Sequence, residues 1–157
     1  MELHNRRKVM LCYDNSPQAK KLVPWAIENV LMSGKDHCVI VSVITDDYSA
    51  WLSEGNIENA NDADYLRTCV SEIRNRGEEV LNRIAKEIRD KKDVTTQVVI
   101  LHGDPREEIM NYAKDAHVNL MVVSSRGLGY FERKLLGSVS EYAIRHASCS
   151  VVVAKLH

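Results

Sequence analysis

The sequence has few of the patterns that mark secreted, membrane or nucleic-acid-binding proteins. Its 157 residues include only four cysteines and no C-x-x-C pair, which argues against a disulfide scaffold. No apolar run approaches the roughly eighteen residues of a membrane span, and no apolar signal segment opens the chain. Lysine and arginine total 21 against 22 acidic residues, a formal net charge of -1. We therefore expect a soluble cytoplasmic protein that binds neither nucleic acid nor membranes.

Signatures of catalysis and of metal binding are also missing. The six histidines include no H-E-x-x-H and no close pair, and His146 with Cys149 supplies at most two metal ligands. No nucleophile has an adjacent base. Cys12 and Cys38 lie in apolar runs and are expected in the core, whereas Cys69 falls on the polar side of a helix, which predicts an exposed thiol. We therefore expect no catalytic residues and no structural metal site.

Strand-length apolar runs alternate with helical segments along the whole chain. Strands are predicted at Lys8 to Tyr13, Cys38 to Ile44, Val94 to Leu101, Val118 to Val123 and Ser150 to Ala154. Helices are predicted to begin at Pro17, Ala63, Pro105 and Ser138, and to end near Leu31, Lys92, His117 and His146. Residues 1–6 are expected to form a tail and residues 46–61 a long loop. This alternation predicts one α/β domain over residues 1–157, with a doubly wound, Rossmann-like, five-stranded parallel sheet sandwiched by helices.

The segment from Ser124 to Ser138 follows the fourth predicted strand and opens the last helix. In doubly wound sheets, ligands bind beyond the carboxyl ends of the strands. A phosphate there needs several backbone N–H groups at close range, which small residues permit; those in the segment are Ser124, Gly127, Gly137 and Ser138. The segment is neither a Walker loop nor a G-x-G-x-x-G motif. The residues alone leave two interpretations, a phosphate site or a simple turn with an S-x-x-E capping box at Ser138 and Glu141.

The segment VVSSRGLGYFERKLLGSVSEYAIRHASCSVVVAK resembles the carboxyl-terminal signature of the universal stress protein family. In that family, G-x-x-G, nine residues and then G-[ST] hold the phosphates and ribose of ATP, which Gly127, the nine residues after it and Gly137-Ser138 match. The resemblance extends to Tyr13-Asp14-Asn15-Ser16, Val41-Ser42-Val43 and Gly103-Asp104-Pro105. One position departs from it, because Ser124 replaces the first glycine. A requirement for positive φ there would weaken binding, whereas a requirement for a small residue would not.

The resemblance implies a regulatory stress-response protein with an adenine nucleotide alpha hydrolase-like fold. The implied ligand is ATP, or AMP or another adenine nucleotide, with Mg²⁺ brought by the phosphates. The residues implied to contact the nucleotide are Asp14, Val43, Val123, Ser124, Arg126, Gly127, Gly137, Ser138 and Val139. The resemblance also implies a homodimer through the strand at residues 150–154, an apolar strand expected at a sheet edge.

Two other functions stay open on the sequence alone. A slow ATP hydrolase would need a residue to orient water, and Asp14 is the one obvious candidate. A dimeric interaction module that has lost its ligand is the other alternative, and Ser124 keeps it open. The site residues have structural interpretations as well. Asp14 could simply open a turn, as aspartate often does after a strand, and Arg126 could be a solvated surface charge.

Overall fold

The computed structural model describes residues 5–45, 63–125 and 136–156. The loop predicted for residues 46–61 and most of the predicted tail lie outside these ranges. The described elements are β1 (Arg7–Cys12), α1 (Pro17–Asn29), β2 (Asp36–Ile44), α2 (Ala63–Lys91), β3 (Thr95–His102), α3 (Pro105–Asp115), β4 (Leu120–Ser124), α4 (Ser138–His146) and β5 (Ser150–Ala154). The predicted order and type of elements are confirmed, and their ends shift by two residues or fewer.

The strands form one parallel sheet in the order β3-β2-β1-β4-β5. The chain moves outward from β1 through β2 to β3, and then continues on the other side of β1 with β4 and β5. The direction of winding therefore reverses between β1 and β4, which confirms the predicted doubly wound sheet. β5 lies at an edge of the sheet, as expected.

Apolar residues pack on both faces of this sheet, which explains why its central strands read as continuous apolar runs. In β1, Val9 and Leu11 face the side covered by α1 and α2, whereas Met10 faces α3 and α4. The residues from Asp36 to Val41 in β2 are all buried. No helix in the described ranges is long and apolar enough to cross a bilayer.

The prediction of an exposed Cys69 is wrong, because this cysteine is 8% exposed. It precedes Ile73, Gly77 and Leu81 at four-residue spacing, so the four residues lie along one side of α2. Leu81 is buried, and a Cβ added to Gly77 would lie 3.0 Å from Cδ1 of Ile100 in β3. The row therefore faces the sheet. It carries Cys69 inward and gives the mid-helix glycine a packing role.

An ion pair closes the amino-terminal end of the sheet. Asp36 is fully buried, and its carboxylate accepts hydrogen bonds from Nε and Nη2 of Arg7 at 2.9 and 2.7 Å. The same carboxylate accepts from the Met32 N–H at 2.8 Å, and Arg7 Nη2 also donates to the Val30 carbonyl at 2.9 Å. The pair thus connects β1 and β2 to the end of α1.

Candidate functional site

A cavity of about 540 Å³ opens at the carboxyl ends of β1, β2 and β4. This is the switch point of the sheet, where doubly wound folds bind their ligands. The volume falls within the range of about 300–1,000 Å³ that is usual for small-molecule sites. The first turns of α3 and α4 complete the described walls.

Most of the predicted site residues converge on this cavity. Seven of the nine line it: Asp14, Val43, Val123, Ser124, Gly137, Ser138 and Val139. The other two, Arg126 and Gly127, lie outside the described residues. The fold thus assembles one wall from three strands and a helix start that are distant in the sequence, while the binding role of each residue stays a prediction.

Asp14 both forms the turn after β1 and lines the cavity, the two arrangements that the sequence left open. Its Oδ1 accepts from the Ser16 N–H at 3.0 Å, which makes the turn after β1, and Asn15 within that turn has φ of 61°. Asparagine tolerates this conformation better than most residues. Ser16 then caps α1 by accepting from the Ala19 N–H at 3.1 Å. Since Asp14 also lines the cavity, the turn holds its carboxylate at the site.

Ser124 does not need the conformational freedom of glycine. It is the last residue of β4, where it pairs with Ala154 of β5, and its φ is not positive. The next residue, Ser125, donates both its N–H and its Oγ to the Ala154 carbonyl, at 2.9 and 3.2 Å. The chain is therefore anchored to β5 where the segment begins. Serine in place of the family glycine strains no backbone there.

The N-terminus of α4 faces the cavity without a side-chain cap. Gly137 is the N-cap residue and Ser138 is the first helical residue, so the alternative interpretation, a capping box of Ser138 with Glu141, is wrong. The box would need the helix to begin one residue later. Ser140 Oγ instead donates to the Gly137 carbonyl at 2.9 Å. The first N–H groups of an α-helix have no partner within the helix, and here the cap offers them none, which suits an anion.

The N-terminus of α3 forms another part of the cavity lining, and its residues were not predicted as site residues. Asp104 caps α3 by accepting from the Arg106 N–H at 2.9 Å, and it also binds Nε and Nη2 of the Arg106 side chain at 3.2 and 2.9 Å. The side-chain hydrogen bonds from Arg106, reinforced by its backbone N–H, lower the pKa of Asp104 to about 2. Asp104 is therefore a carboxylate at neutral pH.

The Arg106 guanidinium links the start of α3 to α4. Its Cζ lies 6.0 Å from the centre of the Tyr142 ring, in α4. In the sequence, an arginine two residues after an N-cap looks like any exposed residue of a helix. Only the packing of α3 against α4 identifies Arg106 as part of the cavity lining. The G-D-P turn after β3 was the available signal, since the carboxyl end of a strand is where such sites form.

The described lining offers no activated nucleophile. Cys12 contributes to the cavity, but burial raises the pKa of its thiol to about 12, so the reactive thiolate is scarce at neutral pH. Within the described ranges no three His, Cys, Asp or Glu side chains cluster as metal ligands would. The geometry suits the binding of an anionic, partly apolar small molecule.

Comparison with known proteins gives the family. The model of the universal stress protein family matches residues 5–155. This chain belongs to the universal stress protein family. Universal stress protein YxiE of Bacillus subtilis is 34% identical over 85 residues, 54% of this chain and 57% of that protein. Sll1388 of Synechocystis is 25% identical over 150 residues, 94% of this chain and 97% of that protein. The match to MJ0531 of Methanocaldococcus jannaschii covers 48% of that protein, so the chain matches about half the length of several of its curated relatives.

Solved universal stress proteins share the fold. MJ0577 of Methanocaldococcus jannaschii superposes with a TM-score of 0.73 at 23% identity, over 98% of both chains. A family member from Arabidopsis thaliana with AMP bound gives 0.65 at 21% identity, over 96% of this chain and 92% of that one. A universal stress protein from Archaeoglobus fulgidus in complex with dAMP gives 0.60 at 16% identity, over 95% and 98%. These likenesses establish the doubly wound architecture.

Proposed function

We propose that this universal stress protein binds an adenine nucleotide, ATP above all, and acts as a regulatory binding protein. The observation that carries the proposal is the N-terminus of α4, which has no side-chain cap and opens into the cavity at the switch point. Universal stress proteins of the same fold have been solved with AMP, with dAMP and with cAMP. A nucleotide is the ligand class that unites these observations.

The chemistry of the walls suits the parts of a nucleotide. The N–H groups at the start of α4, from Gly137 to Val139, would receive the phosphates, aided by the helix dipole. Val43 and Val123 would contact the base, and the Asp14 carboxylate is suited to accept hydrogen bonds from ribose hydroxyls. Ser124, Arg126 and Gly127 would border the phosphates. Mg²⁺, when bound, would be held mainly by phosphate oxygens.

Binding rather than turnover is the activity we propose. Efficient hydrolysis needs a group that orients or deprotonates water beside the phosphates. Asp14 is the candidate in the described lining, and one of its carboxylate oxygens already holds the turn after β1. The thiol of Cys12 stays protonated at neutral pH. We expect a nucleotide-loaded protein that signals through its bound state.

The purified protein is expected to give saturable heats with ATP in calorimetry, and to release an adenine nucleotide when denatured. Titrations with AMP and cyclic AMP would rank the ligands, and a phosphate-release assay would measure turnover. No heat and no thermal shift at millimolar ligand would favour a dimeric module that has lost its nucleotide. Several turnovers per minute, abolished by Gly127→Val, would instead identify a hydrolase.

We also propose a homodimer in which the β5 strands of two copies pair. β5 is an edge strand, and its residues Val151 to Val153 are partly buried on the faces of the sheet. Because the Ala154 carbonyl accepts from the N–H of Ser125, the residue after β4, the backbone groups of Val151 and Val153 point away from β4, toward an edge that no other described strand covers. An unprotected apolar edge invites pairing with another chain.

Light scattering at micromolar concentration should therefore give twice the mass of one chain. Val153→Pro is expected to give a monomer, since proline removes an N–H from the open edge and edge strands tolerate proline. Circular dichroism would check that this variant stays folded. A monomeric mass for the unmodified protein, or a folded Val153→Pro variant that remains a dimer, would contradict pairing through β5.

A further inference from the structure

The described part of the cavity lining carries more negative than positive side chains. Among the described lining residues, the charged side chains are Asp14, Asp104 and Arg106. Two carboxylates and one guanidinium leave a net negative charge on these walls. A ligand with several phosphates would be repelled by the carboxylates, and the described lining offers one side-chain cation against this repulsion.

Arg106 is held in place on two sides. Its Nε and Nη2 bind the Asp104 carboxylate as a fork, and its guanidinium lies over the Tyr142 ring of α4. Tyr142 lies in the second turn of α4, the helix whose first residues line the cavity, and its ring also packs against the His146 ring with 4.1 Å between centroids. The guanidinium, in a side chain that is 50% exposed, is therefore held between Asp104 at the start of α3 and the Tyr142 ring of α4.

One edge of the guanidinium is unused by these contacts. The ion pair and its hydrogen bonds occupy Nε and Nη2, while Nη1 makes no hydrogen bond to any residue in the described ranges. Nη1 carries two N–H donors, and guanidinium groups bind phosphate oxygens well. The guanidinium can thus neutralise the charge of Asp104 through Nε and Nη2 and donate hydrogen bonds to a phosphate from Nη1.

We infer that Arg106 is a specificity residue of this site that selects ligands by their number of phosphates. It offsets the charge of Asp104 and donates from Nη1 to the polyphosphate, and so favours ATP over AMP and adenosine. This inference rests on the proposed nucleotide site. It has one distinguishing consequence. The loss of affinity caused by removing Arg106 should grow with the negative charge of the ligand, because the uncompensated carboxylates repel each added phosphate.

Arg106→Gln is expected to weaken ATP binding roughly tenfold, weaken AMP binding less and leave adenosine binding unchanged, as measured by calorimetry. Asp104→Asn should keep the cap on α3, since asparagine caps as well as aspartate does, and should maintain or raise the affinity for ATP. Arg145→Gln is the matched control. Arg145 is an exposed arginine of α4 that pairs with Glu141 outside the cavity lining, and its removal should change no affinity.

Equal losses of affinity for ATP and for adenosine in Arg106→Gln would overturn the inference, because Arg106 would then affect the shape of the cavity and not select ligands by their charge. Unchanged ATP affinity would overturn it as well. Failure of the nucleotide site itself is a separate result, in which the unmodified protein binds none of the three ligands. Inorganic tripolyphosphate then decides: binding that weakens in Arg106→Gln supports a phosphate-reading Arg106, and absence of binding rejects it.

Discussion

Gly137→Asp is expected to abolish ATP binding while the protein remains folded. Gly137 is the N-cap of α4, with φ of -72° and ψ of 163°, an extended conformation that any residue adopts. Aspartate is a favoured N-cap residue, so the helix should form at least as well as before. Its carboxylate would accept hydrogen bonds from the N–H groups that we assign to the phosphates, and its negative charge would repel the phosphates themselves. We expect a loss of at least about a hundredfold in calorimetry, since several charge-assisted hydrogen bonds are lost together.

Gly137→Asn separates the two effects of the aspartate, which are the repulsion of the phosphates and the engagement of the N–H groups of α4. Asparagine has nearly the same size and also caps helices, but it carries no charge. We expect an intermediate loss of ATP affinity, since the N–H groups are engaged but the phosphates are not repelled. Thermal melting should show that neither variant is less stable than the unmodified protein. ATP affinity that is unchanged in Gly137→Asp would show that the phosphates bind elsewhere.

The architecture could be predicted largely because burial on both faces leaves a direct mark on sequence. The run from Cys38 to Ile44 has almost no polar alternation, and in the structure β2 lies between two layers of helices. Ser16 with Pro17, and Asp104 with Pro105, mark helix starts by local hydrogen bonding that needs no tertiary information. The order of the strands, in contrast, depends on which side of β1 each crossover packs.

The errors and omissions in the site have tertiary causes. Whether Gly137 or Ser138 caps α4 depends on the path by which the chain enters the helix, and both residues fit the local pattern. The cavity role of Arg106 depends on the packing of α3 against α4, which brings its guanidinium over Tyr142. Cys69 is buried because the side of α2 that packs against the sheet includes residues beyond the stripe of large apolar side chains that the sequence shows. Local sequence identifies candidates, and contacts between elements select among them.

The second large effect is expected at the opposite end of the sheet, where Arg7→Met should strongly destabilise the fold. Asp36 is fully buried, and without Arg7 its carboxylate would keep the Met32 N–H as a hydrogen-bond donor but lose its counter-ion. Removing one partner of a buried ion pair typically costs about 3–5 kcal/mol. The Arg7 side chain is 32% exposed, so solvent screening places the expected loss at about 3 kcal/mol. Urea denaturation would measure it as a lower midpoint.

The double variant Arg7→Met/Asp36→Asn tests whether charge is the cause. Asparagine keeps an acceptor for the Met32 N–H and removes the stranded charge, so the double variant should be more stable than Arg7→Met alone. An equally unstable double variant would assign the loss to packing of the arginine stem. Lys86→Met breaks an exposed pair with Asp90 and should change stability by less than about 0.5 kcal/mol. Because the Arg7–Asp36 pair lies at the amino ends of the strands and the cavity at their carboxyl ends, folded Arg7→Met should keep its affinity for ATP.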